Sequence, residues 1–124
     1  LPQFRPRCYM IGFRNPSLFI DEPEKQDLLF NMSNVMRGNA KKEIGYTLRV
    51  GGRSSGINDR RNWDSYMVDG MVRQLTPDEG KMMQGFPVNF EFPVSEASAM
   101  KQLGNSVAVN AVQAFAREII MKLR

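Results

Sequence analysis

Two groups of arginines are spaced for contact with a polyanion. Residues 1–16 contain Arg5, Arg7 and Arg14 with no acid, and residues 46–62 contain Arg49, Arg53, Arg60 and Arg61 against Asp59 alone. A guanidinium is a planar fork that grips two phosphate oxygens, or the O6 and N7 edge of guanine, at once; an ammonium is a point charge and selects less. Arg5 and Arg7, at i and i+2 on an extended arm, project to the same side and can meet one stretch of nucleic-acid backbone. Gly51 and Gly52 let the chain approach a groove closely while Arg49 and Arg53 reach guanine edges. Each group also has a plainer reading, a solvated basic arm and an ordinary hairpin loop with solvated arginines.

Other chemistries are poorly supplied. One cysteine, Cys8, and no histidine exclude an internal disulfide and a multi-cysteine metal site and remove the commonest metal ligand and general base. No metal is expected. Seventeen Lys and Arg against thirteen Asp and Glu give a net charge of +4 and a pI near 9.5, which favours a polyanionic partner. No run approaches the ~18 apolar residues of a membrane span, and the mean hydropathy is −0.39. A reducing cytoplasm is the expected setting, with no membrane partner.

The elements that must position the arginines follow from the remaining pattern. A chain of 124 residues with 42% hydrophobic content builds one small core. Residues 8–13 form a short apolar run suited to a strand buried on both faces, with Cys8 a structural residue inside it. Residues 17–43 lack periodicity and are expected to be mostly loop. Residues 46–50 alternate like a strand and feed the polar stretch 53–64; residues 65–68 form a second strand, closed by a tight Asp69-Gly70 turn. Trp63, Tyr66, Phe86 and Phe90 are expected to pack rather than to stack on bases.

Thr76, Pro77 and Glu79 are an N-cap, a first helical residue and the far side of a capping box, and Gly85 ends that helix. Ser95 caps a helix reaching Leu103 with Gly104 as its stop, and Asn105 caps a last helix. That helix carries Val109, Val112, Ala116, Ile119, Ile120 and Leu123 as one apolar stripe, which must pack on something. The fold class is α+β, a small domain of short strands and loops with C-terminal helices.

Three stretches, taken in order, resemble the cytosine-5 DNA methyltransferases. Gln3-Phe4-Arg5-Pro6-Arg7 with the run behind it resembles that family's Gln-x-Arg-x-Arg motif ahead of a core strand. Arg73 to Glu79, continuing to Gln84-Gly85-Phe86-Pro87, resembles the segment that organises its recognition domain. Lys101 to Val107, with Gly104-Asn105-Ser106 at its centre, resembles its last motif, whose helix returns beside S-adenosylmethionine.

The resemblance implies a larger α/β methyltransferase of which this chain holds residues 1–16 as arm and strand of the catalytic domain. It makes 17–72 the target-recognition region, 73–94 the segment organising it, and 95–124 the helices packing on the catalytic domain. By the same token, double-stranded DNA meets Arg5, Arg7, Arg49, Gly51, Gly52, Arg53, Arg60 and Arg61, with Arg7 near the target cytosine. Asn105 and Ser106 contact S-adenosylmethionine through a helix start. Arg73, Thr76, Glu79, Gln84, Gly85 and Pro87 are structural. The reaction needs a thiolate that follows a proline, whereas Cys8 follows Arg7. The chain is therefore expected to be a piece of a longer protein or the small subunit of a split restriction-modification enzyme, inactive without a catalytic partner. Self-association of the lone chain is a further expectation. Two alternatives stand beside this, a non-catalytic DNA-binding module and a small assembly protein.

Overall fold

Asp69 and Gly70 hold φ of 50° and 76°, the backbone that a two-residue turn needs to match the right-handed twist of its flanking strands. In the computed structural model, which describes residues 1–124, they join β1 (Ser65–Val68) to β2 (Met71–Gln74). The pair is antiparallel, with Ser65 opposite Gln74 and Val68 opposite Met71. β1 is largely buried and β2 largely exposed. Residues 39–41 lie along the other side of β1, where the Lys41 N–H donates to Met67 O at 3.0 Å and the Asp69 N–H to Asn39 O at 3.0 Å.

Four helices complete the α+β arrangement. α1 (Met32–Met36) starts where Asn31 and Asn34 cap each other's backbone, at 2.9 and 3.2 Å. α2 (Pro77–Gln84) starts at the Thr76–Glu79 capping box and ends at Gly85, φ 78°. α3 (Glu96–Asn105) is capped by Ser95, and α4 (Val109–Leu123) runs almost to the C-terminus. Met32, Val35 and Met36 from α1, Trp63, Tyr66 and Val68 around β1, and Met83, Met100 and Leu103 from α2 and α3 form one buried cluster with Leu48 and Leu75. The core thus lies between residues 32 and 103.

Several expectations fail, each for a physical reason. Residues 8–13 form no strand and are mostly exposed, Met10 at 94%. A strand buried on both faces needs neighbouring strands, and no strand of this chain lies beside it. Cys8 is accordingly exposed, not buried. Residues 46–50 are extended but unpaired with a strand, because side chains take their hydrogen bonds: Tyr66 Oη accepts from Tyr46 N at 2.8 Å, Gln3 Oε1 from Leu48 N at 3.0 Å, and Arg5 donates to Leu48 O. The stretch 17–43 is mostly loop, as expected, with the five-residue α1 within it.

At the C-terminal end, Gly104 is not a stop but the penultimate residue of α3, and Asn105 is its last residue rather than the cap of α4. The cap position of α4 is Ala108, with no side-chain bond. Gly104 has another use: a Cβ there would stand 2.5 Å from the carbonyl carbon and oxygen of Arg49, so glycine is what lets α3 press against residues 49–50. No residue of α4 is fully buried. Phe115 packs on Tyr9 with ring centroids 4.5 Å apart, while Val112, Ile120 and Leu123 of the apolar stripe remain 41–62% exposed. Phe86 packs against the core, and Phe90, 40% exposed, lies over it at 4.9 Å rather than inside.

Candidate nucleic-acid interface

The extended stretch 45–50 forms the floor of an open cleft of about 920 Å³. The N-terminal arm supplies one wall through Phe4, Pro6 and Arg7, and Arg60, Asn62 and Trp63 supply another. Arg7, Lys42, Arg49 and Arg60 line it, and no Asp or Glu does. All four cations are exposed. Lys42 Nζ sits 4.4 Å from the Tyr46 ring centroid, so its charge is held over an aromatic face at the cleft's edge.

A ring of side-chain to main-chain bonds fixes this floor. Arg5 donates to Leu48 O and Gly104 O, both at 2.9 Å, and to Ser106 O at 2.6 Å. Burial, and then the charge of Arg7, lowers its pKa. Gln3 accepts from Leu48 N and donates to the buried Gln84 at 3.2 Å. Gln84 donates onward to Leu103 O at 2.9 Å and Ser106 Oγ at 3.0 Å. Trp63 Nε1 donates to Gly51 O at 2.9 Å, and Tyr66, whose hydroxyl burial pushes above its ordinary pKa, holds Tyr46. The floor is therefore preorganised before anything binds.

The other sequence-selected arginines are occupied within the chain. Arg53 bonds to Glu96 at 2.5 Å, and its Nε lies 3.8 Å from Asp64. Arg61 pairs with Asp59 at 2.9 Å; hydrogen bonds from Arg61 hold the Asp59 carboxyl down to about 2. Arg5 and Arg7 do not act side by side: the first is turned to three carbonyls, while the second bonds only to its neighbour's Pro6 O at 2.7 Å. Gly51 and Gly52 are exposed, the latter at φ 80°. Of the eight residues expected to meet DNA, the cleft unites Arg7, Arg49 and Arg60. Lys42 and Phe4 are additions; Lys41-Lys42 was the one lysine pair in the sequence that could have signalled it.

The sequence profile of C-5 cytosine-specific DNA methylases matches residues 24–121. The chain belongs to this family. Its relatives include Type II methyltransferase M.HpaII of Haemophilus parainfluenzae, 54% identical over 52 residues that make up 42% of this chain and 14% of that protein. Type II methyltransferase M.DsaV of Dactylococcopsis salina is 28% identical over 155 aligned positions, covering 97% of this chain and 44% of the relative. M.HhaI of Haemophilus parahaemolyticus is 26% identical, with 96% and 49% covered. The methylase chain thus spans less than half the length of these relatives.

Within this C-5 methylase chain, Asn105 and Ser106 do not open a helix. Asn105 is exposed at the end of α3, and Ser106 Oγ is already engaged, donating to Leu103 O at 2.8 Å and accepting from Gln84. The free N–H groups of a helix start lie three residues on, at α4. Arg73 stands apart from the cleft, joining β2 to Met36 O of α1 and to Glu79 of the α2 cap at 2.7 Å. Pro87 is exposed just beyond Gly85. No helix is long and apolar enough to cross a membrane, and no group of three or more His, Cys, Asp or Glu side chains is placed to hold a metal ion.

Proposed function

We propose that this chain is the target-recognition and cofactor-closing portion of an S-adenosylmethionine-dependent DNA (cytosine-5)-methyltransferase of the restriction-modification type. One observation carries the reading: in a member of the C-5 methylase family, four cations line a single cleft that contains no carboxylate. Double-stranded DNA presents the charge such a cleft attracts, since phosphate contacts dominate nucleic-acid affinity. Arg7, Arg49, Arg60 and Lys42 are the contact set, with Arg7 the residue nearest the target cytosine. Arg5 serves by fixing the arm to the floor and to α3.

The partition proposed for the chain is an arm over 1–16, a recognition region over 17–72, its organising segment over 73–94, and helices over 95–124 that meet the catalytic portion. The thiolate comes from that catalytic portion, because Cys8 follows Arg7 rather than a proline. S-adenosylmethionine supplies the methyl group. Asn105, exposed at the end of α3, is the side chain free to contact it, and Ser106, through its bonds to Gln84 and Leu103, holds that turn in place.

The decisive experiment is the binding of a fluorescent DNA duplex by the 124-residue chain at a series of salt concentrations. Affinity that falls as salt rises, and that is lost in an Arg7→Ala/Arg49→Ala/Arg60→Ala variant, is the expected result. An Arg37→Ala/Lys101→Ala/Arg117→Ala variant removes the same charge from exposed positions outside the cleft and should bind nearly as the parent does. Equal loss in both variants, or no affinity at any salt, rejects the cleft as the DNA site.

A further inference from the structure

Arg53 follows the paired glycines directly, yet the fold ties it to two carboxylates. Its Nη2 lies 2.5 Å from Glu96 Oε1, on the first turn of α3, and its Nε 3.8 Å from Asp64 Oδ2. Asp64 is fully buried, and Arg53 is the one cation within ion-pair distance of it. The same Asp64 oxygen accepts the Ser54 N–H at 3.0 Å. Ser54 holds φ of 63°, a conformation that a serine keeps only where its surroundings enforce it. Its hydroxyl accepts from Gln74 of β2 at 2.8 Å, and Gly51 O accepts from Trp63. The loop is thus held from Trp63 and Asp64, just ahead of β1, and from β2 and α3.

Turning Arg53 outward to a base would leave Asp64 charged, buried and without a counter-ion, which is strongly disfavoured. Arg49 and Arg60 carry no such obligation: both are exposed, line the basic cleft and form no ion pair. We propose that Asp64, Arg53 and Glu96 form a clamp that sets the position of the 51–55 loop. Arg53 is then a positioning residue, and the sequence-selective contacts fall to Arg49 and Arg60. The clamp rests on the DNA-recognition reading above. It means that the arginine best placed by sequence for base contact serves the frame, and that Arg49 and Arg60, on either side of the clamped loop, do the reading from positions fixed in advance.

The test incubates the chain with a pool of random-sequence DNA duplexes and sequences the bound fraction. Arg49→Ala and Arg60→Ala should each erase the preference at one or two base pairs and leave the rest of the enriched motif. Arg53→Ala should lose most of the enrichment at every position together. Glu96→Ala, at a side chain 62% exposed and with folding checked by circular dichroism, should reproduce the Arg53→Ala pattern, since it loosens the clamp without removing a possible reader. If Arg53→Ala erases a single base pair's preference while Glu96→Ala keeps the parent motif, Arg53 reads bases and the clamp is wrong. Parent-like motifs in both variants also overturn it. A parent chain that retains no duplex overturns the recognition reading and the clamp's role with it.

Discussion

Arg5 and Arg7 share a residue type and an arm, but their surroundings give them opposite work. Arg5 satisfies three carbonyls that belong to the cleft floor and to the end of α3, and hydrogen bonds to a charged donor are stronger than neutral ones. Arg5→Ala is expected to destabilise the chain by about 2–3 kcal/mol, because those carbonyls lose their donor together. Arg7→Ala should stay within about 0.5 kcal/mol of the parent, as exposed substitutions do. Urea unfolding of the two variants measures both. The difference was not legible in the Gln-x-Arg-x-Arg spacing: type and position are local, whereas the carbonyls that capture Arg5 lie more than 40 residues away. Arg61 tells the same story at short range. Asp59 two residues earlier claims it, and the carboxyl of Asp59 is held down to about 2 by that bond. A folded pKa below the ordinary value means that the contact is fully present above about pH 4 and is lost as pH falls through about 2. An NMR titration should therefore find Asp59 among the last carboxylates to protonate, and Arg61→Ala should return it toward the usual carboxylate range.

Elements set by short-range chemistry were readable, and elements that need distant partners were not. The Asp-Gly turn and the Thr-Pro-Asp-Glu helix start carry their own hydrogen-bond acceptors and their own backbone preferences, so they form where the pattern places them. Residues 46–50 had the alternation of a strand, but Gln3, Arg5 and Tyr66 supplied their partners from elsewhere in the chain, and no ladder formed. Residues 8–13 had the composition of a buried strand without a neighbour of this chain to bury them. Gly104 was misread for a related reason: a glycine near a helix end suggests a stop, whereas here it admits the Arg49 carbonyl. Gly104→Ala should push α3 off residues 49–50 at a cost of about 1–3 kcal/mol, the range for forcing a methyl into a filled site. Because that contact lies under the cleft, the same variant should weaken duplex binding more than Thr76→Ala. Loss of the Thr76 cap costs about 1 kcal/mol but acts on α2, outside the cleft lining.

Over the whole molecule, order and charge are divided between different regions. The buried cluster spans residues 32–103, while the arm and α4 add exposed apolar surface at Met10, Ile120, Met121 and Leu123. Tyr9 on Phe115 is the aromatic contact that joins the arm to α4 beside these exposed side chains. The net charge of +4 is too small by itself to specify a nucleic-acid partner, and its arrangement is what matters. Carboxylates neutralise Arg53, Arg61 and Arg73, leaving Arg7, Lys42, Arg49 and Arg60 unpaired around one cleft. Each phosphate neutralised on duplex DNA contributes about −0.9 to the slope of log affinity against log salt. Binding through the cleft's four cations alone therefore bounds the slope at roughly −4, and any of them that reads a base instead of a phosphate reduces it. Lys42→Ala should make the slope shallower by about 1 on every duplex sequence alike, the signature of a backbone contact. A slope much steeper than roughly −4 in the parent chain would mean that exposed cations outside the cleft, such as Arg37, Lys41 and Lys101, also meet phosphates and that the cleft is only part of the interface.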